Sequence, residues 1–266
     1  MNTTPAFKYH NTLVDGKETV PGIPLYINSE KPQIVFKTLA ELYPPEKRNS
    51  IQIADLGPLE GGHAVELARM GFDVTLIEAR EENVVKLLWL KEAAKLDRFV
   101  VFTDDVKNLD KYGKFPVIHC AGLLYHLDNP VSFLKLMAEH VEDILILSTH
   151  YAQKNDFQYD FVPALNKVKK ALWKRIPFLF RKRHFGLSGL QIHEGFEGRW
   201  YTEYNTKEQR DVIANKLLLS AFSNDRSFWL TKEAIIRILE ESGFTVDLAH
   251  DDPNQALGLF ICKWRK

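Results

Sequence analysis

The chain has 266 residues, with 35 Lys+Arg against 35 Asp+Glu and a formal net charge of zero. Its 45% hydrophobic and 26% charged content is that of an ordinary globular protein and excludes disordered, collagen-like and low-complexity chains. No apolar run approaches the roughly 18 residues of a membrane-spanning helix, the first residues hold no signal-peptide core, and overall neutrality argues against a chain that is basic throughout.

A cytoplasmic protein is therefore expected, built as one large domain or one domain with an insertion. Cys120 and Cys262 each sit inside an apolar run, which reads as two buried thiols. Residues 1–50 form an N-terminal unit. An arm interrupted by Pro5, Pro21, Gly22 and Pro24 leads into an amphipathic helix from Ser29 to about Tyr43, stopped by Pro44 and Pro45. A rhythm then begins. Strands are predicted at 51–57, 72–79, 99–105, 115–122 and 143–150, and helices at 63–71, 81–96 and 130–141. Apolar strands alternating with helices imply a parallel sheet covered on both faces. The rhythm breaks at 151 and returns with a helix at 230–243, capped by Thr231, and two strands at 244–250 and 257–264 in hairpin-like order. Residues 51–150 and 229–266 are thus one α/β domain, and 151–228 are an insertion too long for a plain loop. Helices are predicted within it at 163–176 and 206–222.

The densest signal is IADLGPLEGGHAVELARMGFDVTLIEA, residues 53–79. A strand runs into a glycine turn and then a helix, so a ligand can approach the backbone and meet free N–H groups. Asp55 precedes the turn, and Glu78 ends the next strand, where a carboxylate suits two vicinal ribose hydroxyls. Dinucleotide sites use G-x-G-x-x-G, whereas the glycines here are Gly57, Gly61 and Gly62, with Leu59 at the second glycine's place. A negative Asp55 would oppose a pyrophosphate but suits a cationic ligand such as S-adenosylmethionine, which carries a sulfonium, an ammonium and a ribose.

DLGPLEGGH followed by the acidic strand end resembles motif I of class I S-adenosylmethionine-dependent methyltransferases, in the subgroup with D-x-G-x-x-E-G. Two further segments carry the resemblance. FTDDVKNL (102–109) is similar to the family's segment after the third strand, which implies Asp105 on the adenine amino group, with Asp104 as the alternative register, and the Val106 backbone on the ring. CAGLLYHLDNP (120–130) is similar to the segment after the fourth, which implies Gly122, Leu123, Tyr125 and His126 bordering the methyl donor. The implied fold is a Rossmann-like, seven-stranded, mostly parallel sheet with one antiparallel strand, helices on both faces, and a largely helical insertion before the last helix and strand pair. The implied cofactor is S-adenosylmethionine.

Methyl transfer needs alignment of acceptor and methyl group, and an alcohol or phenol acceptor also needs a base. His126 is the first choice for that base and His150, ending the fifth strand, the second. The competing reading has His126 capping a turn or packing on the cofactor. Tyr125 reads as a wall, His63 as part of the helix opening or methionine pocket, and His10, His140, His184 and His250 as surface or packing residues. The insertion contributes HEGFEGRWYTEY (193–204) and SNDRSFWLT (223–231), with His193, Arg199, Tyr201, Tyr204, Asn224 and Trp229 as acceptor-pocket candidates. The alternative is a cap whose aromatics form its own small core. No metal site is expected, because the spacing of His193, Glu194 and Glu197 matches no ligand pattern.

Residues 161–193 carry eight basic residues and no acid. This stretch reads as a solvated helix face, as contact with an anionic or lipid-linked acceptor or a membrane surface through 163–185, or as an RNA-tracking surface. The leading expectation is a methyltransferase for a small molecule, at oxygen rather than nitrogen. Methylation of an RNA wobble uridine and a non-catalytic binding module are the alternatives. The acceptor's identity and the oligomeric state are not legible.

Overall fold

A computed structural model describes residues 4–154, 157–159, 181–183, 187–206, 208, 209, 212 and 218–265. The arm carries a hairpin, β1 (Leu13–Val14) and β2 (Lys17–Glu18). Its turn residues Asp15 and Gly16 both have positive φ, 48° and 75°, which is the two-residue turn that matches strand twist. Helix α1 (Glu30–Leu42) buries Val35, Phe36 and Leu39, and a short α2 (Pro45–Arg48) follows. The alternating unit is β3 (Gln52–Leu56), α3 (Gly62–Arg69), β4 (Asp73–Glu78), α4 (Glu81–Ala93), β5 (Phe99–Thr103), β6 (Phe115–Ala121), α5 (Pro130–His140) and β7 (Val141–His150). In the insertion, β8 (Phe157–Tyr159) pairs with β9 (Arg181–Arg183). There β10 (Gln191–His193), β11 (Phe196–Thr202) and β12 (Arg226–Leu230) form an antiparallel sheet. The chain ends with α6 (Lys232–Glu241), β13 (Phe244–Asp252) and β14 (Leu257–Trp264).

The main sheet has the order β13-β14-β7-β6-β3-β4-β5. Only β14 runs against both of its neighbours, β7 and β13. The order reverses at β3, where β4 lies on one side and β6 on the other. The carboxyl ends of β3 and β6 there open a crevice, the usual ligand position in such sheets. Two apolar layers cover the faces. One joins α5 and α6 through Leu134, Met137, Ile235 and Leu239, and the other joins α1, α3 and α4 through Leu39, Leu67, Leu87 and Leu90. Thr231 caps α6 as expected, its hydroxyl accepting from Ala234 N at 3.2 Å. Both cysteines are buried and free.

The insertion departs from its expected helical character where it is described. The 163–176 helix, most of the basic stretch, and most of the 206–222 helix lie outside the described residues, so the membrane and RNA readings of that stretch do too. Residues 218–222 are not helical. The carbonyls of Ser220 and Ala221 are taken by Arg80 at 2.8 and 3.0 Å, and Ala221 N donates to Glu203 at 3.3 Å, so tertiary bonds replace helical ones. Glu194 supplies the missing cap of α5, accepting from Val131 N and Ser132 N at 2.9 Å.

Glu60 fastens the arm to the sheet. Its fully buried carboxylate pairs with Lys86 at 2.5 Å and accepts the backbone N–H groups of Lys8, Tyr9 and His10. These bonds hold its carboxyl below the usual range against the opposing effect of burial. Truncating one partner of a buried pair strands the other charge. Glu60→Ala should therefore cost about 3–5 kcal/mol in urea unfolding and expose the arm to proteolysis. A loss below about 1 kcal/mol, within the range of an exposed ion pair, would show that the pair is not a structural anchor.

Candidate active site

Three left-handed residues shape the turn after β3: Gly57 at φ 65°, Leu59 at 55° and Gly61 at 74°. Leu59 keeps the left-handed backbone without being glycine, at a strain cost of about 1–2 kcal/mol. Its N–H donates to Glu78 Oε2 at 3.2 Å, while Arg80 N donates to Oε1 at 2.9 Å. Burial raises the Glu78 carboxyl, opposed by these bonds. Each carboxylate oxygen has a second lone pair, so Glu78 can still accept from ribose hydroxyls. Gly61 caps α3 and Gly62 opens it. A Cβ on Gly62 would lie 2.5 Å from the Tyr26 ring, so the arm's aromatic can pack there only against glycine.

A cavity of about 330 Å³ opens over this turn. Of the residues named from sequence, Asp55, Gly57, Leu59, Glu78, Asp105, Val106, Gly122, Leu123, Tyr125, His126, His150 and Asn224 line it. The two neighbouring aspartates separate. Asp105 lines the cavity and caps its own turn through Lys107 N, whereas Asp104 is engaged by Asn108, Tyr112 and Lys111, which hold its carboxyl down at about 2. The expectation that included Asp104 is corrected on that ground.

Asp55 is buried at 2% exposure, with Oδ1 2.7 Å from Nδ1 of His119, its register partner on β6. Asp55 Oδ2 and His119 Nε2 have no partner among the described residues. Orphaned buried polar atoms at a cavity wall are completed by a ligand, and a carboxylate there fits a cationic one. The acceptor set of Asp55, Glu78 and Asp105 fits the ammonium, ribose and adenine amino group of S-adenosylmethionine.

The chain matches the methyltransferase-domain family over residues 28–249. The chain belongs to that family. It has the Rossmann-like fold expected of class I methyltransferases. A ubiquinone biosynthesis O-methyltransferase of Rickettsia typhi is 27% identical over 120 residues, 44% of this chain and 48% of the relative. The chain thus spans about half the length of the curated relatives it matches. Its fold is similar to the N-terminal domain of EvdMO1 with S-adenosylhomocysteine bound, at TM-score 0.65 and 22% identity, covering 96% of this chain and 90% of the other. It is also similar to the magnesium protoporphyrin IX methyltransferase of Synechocystis PCC 6803, at TM-score 0.51 and 16% identity, covering 88% and 83%.

On the other side of the cavity, His126 Nδ1 lies 2.9 Å from Glu203 Oε1. Glu203 is held by Ser227 Oγ at 2.8 Å. Tyr125 packs on His126 and His150, and burial pushes its hydroxyl up to about 12, so it is a wall. His150 Nδ1 meets the Gln255 carbonyl at 2.9 Å and its ring stacks on Trp229, with burial lowering its pKa. Asn224 Nδ2 holds the carbonyls of His126 and Arg226.

The remaining acceptor-pocket candidates do not reach the cavity. Arg199 staples the insertion through the carbonyls of Gln153, Lys154 and Ser188. Tyr204 bonds Ser220 and Ala221. His193 packs on Trp200 and Phe228 and bonds the Asp128 carbonyl. Tyr201 and Trp229 pack together behind Tyr125. His193, Arg199, Tyr201 and Trp229 are drawn off by the small sheet β10–β12 and its seam, and Tyr204 by its packing against Ala221. Among the described residues no cluster could hold a metal.

Sequence reasoning missed His10 and His119. His10 lines the cavity, stacks on Tyr26, and accepts from Gly62 N at 3.0 Å. Desolvation lowers its pKa from 6.5 to about 4, and burial beside His119 lowers that of His63 well below its ordinary value. The unfolded chain protonates these histidines near 6.5 while the folded chain resists. Stability is then full above about pH 6.5 and falls as pH drops toward 4, with a slope of up to about 1.4 kcal/mol per pH unit for each group. Urea midpoints from pH 7 to 5 should fall accordingly, and His10→Gln should flatten the slope. A midpoint independent of pH over that range would contradict the buried-neutral assignment.

Proposed function

We propose that this methyltransferase transfers a methyl group to a hydroxyl oxygen of a small-molecule acceptor, with His126 as the base and Glu203 holding it. The observation that carries this reading is the 2.9 Å contact between His126 Nδ1 and a carboxylate only 3% exposed. An ionised carboxylate can only accept, so Nδ1 donates to it, and the neutral ring then has its lone pair on Nε2. His126 lines the cavity, so that lone pair is available to take an acceptor's hydroxyl proton. The Nδ1 of His150 meets the Gln255 carbonyl and its ring stacks on Trp229, so it serves as a wall. The similarity to relatives named for O-methylation supports oxygen as the methylated atom.

S-adenosylmethionine supplies an activated methyl group on a sulfonium. The chain's own residues do the rest. Glu78 would take the ribose, Asp105 and the Val106 backbone the adenine, and Asp55 the ammonium, while Gly57 and Gly122 leave room beside the backbone. The division into 1–50, a core of 51–150 with 229–266, and 151–228 follows the same logic. The third unit acts as the acceptor lid: Leu218, Leu219, Phe222 and Asn224 line the cavity, and Glu203 reaches down from above. Closing the site with apolar side chains excludes water and strengthens the charges inside it.

The test is formation of S-adenosylhomocysteine from S-adenosylmethionine with a panel of phenols, sugars and amines. Hydroxyl acceptors should be methylated. On the best of them, His126→Ala should lose about 10²–10⁴-fold in kcat with cofactor affinity kept. Glu203→Gln should lose less, and His150→Ala least. Full turnover by His126→Ala, or methylation of amines alone, would overturn the assignment.

A further inference from the structure

Three cationic side chains line the cavity: Lys31, Arg80 and Lys107. Two are already engaged. Arg80 holds the carbonyls of Ser220 and Ala221, and Lys107 pairs with Asp128 at 2.9 Å. Lys31 has no hydrogen-bond or ion-pair partner among the described residues. The neighbouring acid, Glu30, pairs with His250 at 3.5 Å instead.

Local helix physics does not explain a lysine there. Lys31 is the second residue of α1, where the positive end of the helix dipole disfavours a cation. It is also half-buried, and burial opposes its charge more than the nearby carboxylates of Asp252 and Glu30, neither of which bonds it, favour it. His10 and His63, in the same part of the cavity, are kept neutral and cannot substitute for it. The acids divide in the same way. Glu78 is bound by backbone N–H groups and Asp105 caps its turn, but Asp55 Oδ2 is orphaned. One unpartnered cation and one unpartnered carboxylate oxygen therefore face one cavity without pairing with each other. A ligand carrying both an ammonium and a carboxylate satisfies the two at once.

We propose that Lys31, presented by the N-terminal helix α1, is the binding residue for the carboxylate of the cofactor's amino-acid end, opposite Asp55. His10 assists. Its Nδ1 accepts from Gly62 N–H, so when neutral it carries its proton on Nε2 and lines the cavity as a donor. The arm is thereby part of the cofactor site and not only a cover over it. This inference rests on the reading of the cavity as the S-adenosylmethionine site, and the test separates the two.

Wild type, Lys31→Met and Lys31→Arg are titrated calorimetrically with S-adenosylhomocysteine and with 5′-methylthioadenosine, which lacks the amino-acid end. Wild type should prefer S-adenosylhomocysteine. Lys31→Met should weaken it by about ten- to hundredfold, the scale of one charge-assisted bond, and leave methylthioadenosine within about twofold. Lys31→Arg should recover most of the loss. Unchanged S-adenosylhomocysteine affinity in Lys31→Met would overturn the proposal and move Lys31 to the acceptor side. Equal loss for both ligands would also overturn it, because the effect would then not depend on the carboxylate. Failure of wild type to bind either ligand would instead overturn the reading of the cavity.

Discussion

The buried pair of Glu60 and Lys86 is the contact on which the site depends. Glu60 stands inside the glycine turn, and Lys86 rises from α4 on the next strand–helix unit. The carboxylate then captures three successive backbone N–H groups of the arm. Such a pair is costly to desolvate and stays only where every lone pair is used. Here the extra acceptors fix the arm's path. They carry His10 onto Gly62 and Tyr26 onto His63, at 3.0 and 2.9 Å, and so build one wall of the cavity from residues far away in the chain. Glycine at 62 is required by the same packing, since any side chain would displace the Tyr26 ring.

A second long-range link governs the opposite wall. His126 follows β6, but its carboxylate partner Glu203 comes from the insertion, 77 residues later. Arg80, beside the cofactor-side Glu78, holds Ser220 and Ala221 of the same insertion. The insertion is therefore tied to both walls of the cavity through hydrogen bonds.

The alternation of strands and helices was readable because fully buried parallel strands appear as short apolar runs between glycines and caps. The Thr231 cap and the hairpin-like order of the last two strands follow from such local signals, whereas the single reversed strand was implied by the family resemblance and the strand order needs the fold itself. Asp55, Glu78 and the glycine turn were readable for the same reason, since they lie within one strand–turn–helix–strand unit. What escaped notice depends on pairing across the fold. His119 looks like one polar residue in an apolar strand until β3 and β6 align it with Asp55. His10 and Lys31 lie in segments with no motif. Arg199 and Tyr204 looked like ligand residues because buried polar groups that staple a cap have the same composition as those that bind a substrate. Residues 218–222 have helical periodicity, yet their carbonyls are claimed by Arg80.

The central claim is that the crevice at the β3–β6 switch point binds S-adenosylmethionine through Glu78 and the turn that Leu59 and the glycines shape. Calorimetric titration of wild type and Glu78→Ala with S-adenosylhomocysteine addresses it most directly. The account predicts saturable one-to-one binding by wild type and at least about tenfold weaker binding by Glu78→Ala, the scale of a lost hydrogen bond to a charged group. No binding by wild type, or equal affinity in the two proteins, would contradict it.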